Sequence, residues 1–432
     1  MTEAFLQYIW QYRLLEEPLF TTEGIPIQIL RSGLANRDAG PDFFDARVSI
    51  GGTLWVGNVE VHILSSDWNR HHHSSDAAYN NVVLHVVYEH DCDIVSQSGL
   101  AMPTLELKRY IPAVVWSNYE ALVDPPDSVA IPCADRLGVV PQMAMNATLD
   151  ALLLERMQQK TSDVKSLLKS AKGSWDNTFY WLLARFFGGK VNAFPFELLA
   201  KSTDLKMLSR WRDNVERIEA LLYGQAGMLD GYFDDGYPRR LQADYEALRF
   251  GSQLTPISGT LWKFFRLRPS AFPTLRISQF AHLFVAGENM FSKLLEVDDA
   301  TILESFFNRE ASPYWNNHYR FDHESSFSVK SSGKMFADLL IVNVIAPLLF
   351  EYGVQHSDEK YKQRAIDLLR QLPPEDNNII RKWLDVGVKP SDAAASQSLI
   401  QLHNLYCKPR QCLKCRLGYY VLNDKSMPYE SF

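Results

Sequence analysis

The sequence predicts an α+β protein in two parts: an N-terminal mixed sheet with flanking helices over residues 1–125, and a mostly α-helical region over 146–432. Three observations carry this reading. Residues 25–64 and 82–88 fall into short alternating or apolar runs bounded by Gly, Asn and Asp, the pattern of strands. From Asn146 onward apolar residues recur three and four apart, the pattern of helices. Between the two lies LVDPPDSVAIPCADR, a proline-rich stretch that disfavours helix and places a linker at 126–145. A chain of 432 residues is also too long for one typical core, so two or three domains are expected.

In chain order, Phe5 to Glu16 reads as a first helix, with Phe5, Tyr8, Ile9, Tyr12 and Leu15 on one stripe. Ile25 to Leu30 reads as a first strand. Asp45 to Ile50 and Thr53 to Leu64 read as a hairpin, because Gly51-Gly52 supplies the two positive-φ positions of a tight type I′ turn. Ser75 to Asn81 is expected as a short helix, Val82 to Tyr88 as an apolar strand, and MPTLELKRYI as one more strand with Leu105 and Leu107 on one face. In the second part NATLDALLLERMQQKTSDVKSLLK opens the helical series, with Asn146 as its N-cap. Basic and aromatic residues interleave in LWKFFRLRPSAFPTLR (Lys263, Arg266, Arg268, Arg276); pairing and capping within the fold account for them better than phosphate binding does. KSSGK, ending at Lys334, lacks the spacing of a phosphate loop.

Potential chemistry is concentrated between residues 40 and 90. Six of the eleven histidines lie there (His62, His71, His72, His73, His85 and His90), interleaved with Asp42, Asp45, Glu60, Asp67 and Asp76. Glu60 and His62 are two apart on a strand, so they share a face. Asp42 sits at the entry of the preceding strand, within reach of Glu60 if the hairpin twists. Two such carboxylates are suited to Mg²⁺ or Mn²⁺. His62 is the candidate general base near neutral pH. His85 is either a hydrogen-bonded core histidine or a supporting residue that faces Glu60 from the next strand. Arg31 and Arg37, in the connection before Asp42, are candidate substrate-phosphate contacts. A zinc site built on His71 and His73 is the alternative use of the cluster.

The chain ends in HNLYCKPRQCLKCRLGYYVL and a short tail. Cys412 and Cys415 form a CxxC knuckle, Cys407 precedes them, and His403 shares a helical face with Cys407. The four are candidate ligands of a structural zinc, with Cys92 or Cys133 as an alternative fourth thiolate for zinc or an iron–sulfur cluster. Plain reduced cysteines are the competing account.

Composition narrows the classes. Hydrophobic content of 46% and charged content of 22% describe a globular chain. A net charge of −7 argues against a general coat for nucleic acid, whose affinity rests on Lys and Arg. No uninterrupted apolar run reaches a membrane-spanning length, and the first residues lack a basic flank and apolar run. A cytoplasmic, membrane-independent protein is expected.

The arrangement Pro41-Asp42, seventeen residues, then Glu60-Val61-His62 resembles the PD-(D/E)XK nuclease signature, with His62 where that superfamily carries lysine. The resemblance implies a restriction-endonuclease-like N-terminal fold, a metal held by Asp42 and Glu60, and phosphodiester hydrolysis with nucleic acid as partner. The histidine in the lysine place equally suits an inactive, nuclease-like binding or scaffold protein. More widely, GPDFFDARV, GNVEVHILSSDW, HHHSSDAAYNNVVLHVVY and YCKPRQCLKCRLG resemble a bacterial family of unknown function, DUF2851. That resemblance implies a recurrent architecture and no particular activity.

Overall fold

The computed structural model describes residues 1–424 apart from 37, 125, 127, 128, 251–253 and 286–289. The chain divides into two compact units, one of residues 1–148, 382–387 and 402 onward, the other of 149–381 and 388–401. The C-terminal cysteines therefore belong to the same unit as the N-terminal sheet and not to the helical one. The sequence does not reveal this, because no local period reports a contact between the two ends of a chain.

In the first unit helix α1 (Glu3–Tyr12) is capped by the Thr2 hydroxyl and stops when Arg13 turns left-handed at φ 53°, four residues before the expected end. Strands β1 (Leu19–Phe20), β2 (Pro26–Arg31), β3 (Leu34–Ala35), β4 (Phe43–Ile50) and β5 (Thr53–Leu64) follow. Gly51 and Gly52 take φ of 58° and 85°, as the hairpin turn requires. Helix α2 (Asp67–Arg70) and two single 3₁₀ turns, His73–Ser75 and Ala77–Tyr79, replace the one short helix expected before β6 (Val82–Glu89). Strand β7 (Thr104–Glu106) and helix α3 (Ala113–Val123) complete the series. The sheet runs β1-β2-β4-β5-β6-β7, with β3 beside β4. Pairing is antiparallel up to β5, then parallel from β5 to β6 and from β6 to β7. The parallel step requires a crossover, and residues 65–81 provide it.

Helix α4 (Gln142–Ser170) starts four residues before the expected Asn146 cap, directly after Pro141, a residue favoured at helix starts. The second unit is helical around a core that includes Tyr180, Tyr223, Phe280, Trp315 and Leu349. The helical stretch Lys334–Gln355 is long and apolar enough to cross a membrane, but 67% of its most apolar window is buried inside the fold. Two of the basic residues singled out in the sequence are structural here. Arg276 lies over the Phe336 ring at 4.1 Å and bonds Gln279, and Lys334 pairs with Glu304 and Asp338.

One buried acid in this core makes stability depend on pH. Glu219 is fully buried, accepting hydrogen bonds from the Ser278 and Ser312 hydroxyls, and burial holds its carboxyl up at about 7. A folded-state value above the unfolded one means the stabilisation is complete below about pH 4.5 and is lost as pH rises through 7. The loss is about 3 kcal/mol, since each pH unit separating the folded and unfolded values is worth about 1.36 kcal/mol. Glu219→Gln is expected to make stability fall less steeply between pH 5 and 8, as read from urea unfolding midpoints; an unchanged pH slope would contradict this assignment.

Candidate metal centre

The alternation of β5 puts Glu60 and His62 on one face, and the parallel register with β6 sets His85 directly beside Glu60. His85 is fully buried, with its Nε2 2.9 Å from His62 Nδ1. His85 is thus a hydrogen-bonded histidine of the core and at the same time stands in register with Glu60.

The crossover then folds back over this face. Asp67 Oδ2 accepts the Leu64 amide at 3.0 Å, and Asp91 accepts both the Ser66 amide and hydroxyl, which pins the turn. Trp68, 1% exposed, wedges between His73 and His85 with ring centres 5.3 and 5.2 Å away. His72 turns left-handed at φ 61°, and its two neighbours are thereby aimed at one point. His71 and His73 converge across this kink. Tyr79 stacks on His73 with centres 3.7 Å apart.

The donor atoms meet. His62 Nε2 lies 3.1 Å from His71 Nδ1 and 3.5 Å from Glu60 Oε1, and His73 Nε2 lies 3.3 Å from the same oxygen. Donors about 2.1 Å from a common ion are ~3.0 Å apart at the corners of an octahedron and ~3.4 Å apart in a tetrahedron. The observed separations fall close to that range. His73 Nε2 is buried and forms no hydrogen bond, its contact to Glu60 Oε1 at 3.3 Å being an ion-pair distance only. Among the described residues, His62, His71 and His73 are the group of His, Cys or acidic residues whose donors all lie within 4.8 Å of one another.

The electrostatics suit a cation. Burial, then the neighbouring Asp42, pushes Glu60 up to about 8. Burial, with the other imidazoles, lowers His62 to about 3 and His73 to about 4, and holds His85 well below its usual value. Neutral imidazole is the form that ligates. No Lys or Arg is hydrogen-bonded or ion-paired to Glu60 among the described residues. A divalent ion would supply the positive charge this carboxylate lacks.

Asp42 is adjacent, as expected. Its amide donates to Glu60 Oε2 at 3.0 Å, while its carboxylate accepts the Val61 amide at 3.0 Å and the Gln7 side chain at 2.9 Å. Burial holds it up at about 6. Gln7 and Glu3, whose charge acts on both Asp42 and Glu60, were missed in the sequence. The stripe reading of α1 registers only its apolar side, and neither residue carries a motif. Both ring nitrogens of His62, the expected general base, face other imidazoles, His85 on one side and His71 on the other.

The remaining candidates lie elsewhere. Arg31 is taken by Asp45, 2.7 Å away, where Asp45 sits at φ 54° in a bulge of β4. Arg37 lies outside the described residues. The His403–Cys407 segment packs against the turn Cys412–Lys414 that precedes Cys415, Cys133 leads into the Ala134–Val139 segment packed on the helix after Cys415, and His403 Nδ1 lies 3.3 Å from Asn404 Oδ1.

A family model described as a protein of unknown function, DUF2851, matches residues 3–378. No curated protein and no solved structure matches the chain.

Proposed function

The chain belongs to the DUF2851 family, and we propose that it is a divalent-metal-dependent hydrolase of phosphodiester bonds, its ion held by Glu60, His62, His71 and His73. The observation that carries the reading is the convergence of His62, His71 and His73, whose donor atoms lie within 4.8 Å of one another, with Glu60 Oε1 3.5 Å from His62 Nε2 and 3.3 Å from His73 Nε2. Three imidazoles and one carboxylate suit zinc or iron better than the Mg²⁺ expected from the acidic pair, because magnesium takes oxygen ligands. The substrate class is supported by helix α1, the antiparallel strands β2, β4 and β5, a crossover that carries the short helix α2, and the parallel strand β6, with the two-residue strands β1 and β3 as additions, Asp42 entering β4 and Glu60-Val61-His62 on β5. This is the placement of acidic residues in the nuclease superfamily that the sequence resembles.

A divalent ion held by these residues would supply Lewis-acid chemistry toward a phosphoryl oxygen and water. His85 fixes the ring of His62 from behind, the usual task of a partner to a ligating histidine. His71 is the exposed member of the set and marks the solvent side from which substrate arrives. Asp42, held at about 6 and oriented by Gln7 and the Val61 amide, takes the proton of the attacking water.

The test is metal content by mass spectrometry together with hydrolysis of bis(p-nitrophenyl) phosphate and of single- and double-stranded DNA and RNA. Asp42→Asn is expected to keep the ion and lose roughly 10²- to 10⁴-fold in kcat, the usual share of a general base. Glu60→Gln is expected to lose the ion. A wild-type protein that binds the ion and cleaves no diester would leave a nuclease-like binding protein instead.

A further inference from the structure

A second cluster, apart from the histidines, lies at the C-terminal segment. Cys407 and Cys412 are buried, at 7% and 8% exposure, and no cysteine in the chain is in a disulfide. Cys415 closes the knuckle, its amide donating to the Cys412 carbonyl at 3.2 Å, and it immediately precedes the helix Arg416–Leu422. The amides of Leu417 and Gly418 donate to its sulfur. That seat needs glycine at 418, because a Cβ there would lie 2.1 Å from the Cys412 carbonyl oxygen.

Cys133 reaches the group from far away in sequence. It leads into the 3₁₀ segment Ala134–Val139, against which the helix Arg416–Leu422 packs. Asn118 of α3, 1% exposed, ties the pieces together. Its side-chain amide donates to the carbonyls of Val421, Leu422 and Asp424 at 3.1 to 3.2 Å, and it accepts Arg136. The turn Cys412–Lys414 packs against both the His403–Cys407 segment and the helix Arg416–Leu422, which brings the four cysteines into one neighbourhood. Lys408, Arg410, Lys414 and Arg416 are interspersed among the three late cysteines, a positive surround for a dianionic tetrathiolate centre.

We infer that Cys133, Cys407, Cys412 and Cys415 hold a [4Fe–4S] cluster that fastens the C-terminal segment to α3 and the 134–139 turn. The spacing of the sulfurs decides between metals. A single zinc, with Zn–S near 2.3 Å, needs its four sulfurs ~3.8 Å apart. No three of these cysteines belong to a donor group within 4.8 Å among the described residues. A cubane carries one iron per thiolate and holds the sulfurs farther apart than one ion does, with four cysteines as its standard ligand set.

The experiment is anaerobic purification of the full chain, with iron, zinc and acid-labile sulfide measured per chain. About four irons and about four sulfides are expected, with visible absorption that dithionite bleaches. Sulfide separates this centre from any iron at the histidine cluster, which would bring none. Cys133→Ser is expected to lose the sulfide, and Cys92→Ser, outside the group, to keep it. Should Cys133→Ser fail to fold, the wild-type stoichiometry and the Cys92→Ser control still decide. One zinc and no sulfide per chain would overturn the inference, as would full sulfide in Cys133→Ser.

Discussion

Replacing His62 or His73 by alanine is expected to weaken divalent-metal binding by more than about 100-fold and to take diester hydrolysis to background. The scale follows from what lies behind the ligands: loss of a hydrogen-bonding partner to a ligating histidine costs roughly 10- to 100-fold in affinity, and loss of the ligand itself costs more. His85→Phe supplies the smaller lesion, since it removes the Nε2 that faces His62 Nδ1 at 2.9 Å and leaves all four donors in place. The His62 substitution also leaves His85 without its partner in a fully buried place, a penalty of about 1–3 kcal/mol that has nothing to do with metal. His71→Ala separates the two effects, because His71 is exposed and its loss disturbs the core little. Calorimetric titration with Zn²⁺ and Mn²⁺, with thermal melts of the same apo samples, gives both quantities. Wild-type affinity in His73→Ala would remove the centre as described.

The parts of this site that were legible in the sequence are the local ones. A two-residue glycine turn fixes the hairpin, and a period of two fixes Glu60 and His62 on one face. The Thr53–Leu64 strand is observed with the bounds its pattern suggests. What closes the site is not local. The aim of His71 and His73 depends on a left-handed His72 and on Trp68 packed beneath, and nothing in three consecutive histidines encodes that kink. Asp45 looked like the first residue of a regular strand, yet it bulges out to pair with Arg31. Cys133 sat in a stretch that proline content marked as linker, and the late cysteines sat behind a long helical pattern. Their meeting rests on Asn118 and three backbone carbonyls, a contact with no sequence period at all.

Metal affinity is expected to rise with pH between 6 and 8, by up to about tenfold per pH unit, and binding at pH 7 to release about one proton. Glu60 is the source. Its carboxyl, held up at about 8, is mostly protonated at pH 7 and must ionise to ligate. The imidazoles of His62, at about 3, and His73, at about 4, contribute nothing to this slope, because they are already neutral. A site of ordinary exposed histidines would behave differently, its affinity levelling off once pH passed about 6.5. For the apo protein the sign is opposite. A carboxyl raised in the folded state stabilises fully below about pH 4.5 and loses that contribution as pH rises through 8, so the apo melting temperature falls over the range in which metal binding tightens. The gap between melts with zinc and with chelator therefore widens from pH 6 to pH 8. Glu60→Gln removes the ionisable group and is expected to abolish the proton release and to take away the Glu60 share of the apo slope, leaving the share that belongs to Glu219. Titrations in buffers of different ionisation enthalpy count the protons directly, and a count near zero at pH 7 would place the ligating carboxylate elsewhere than Glu60.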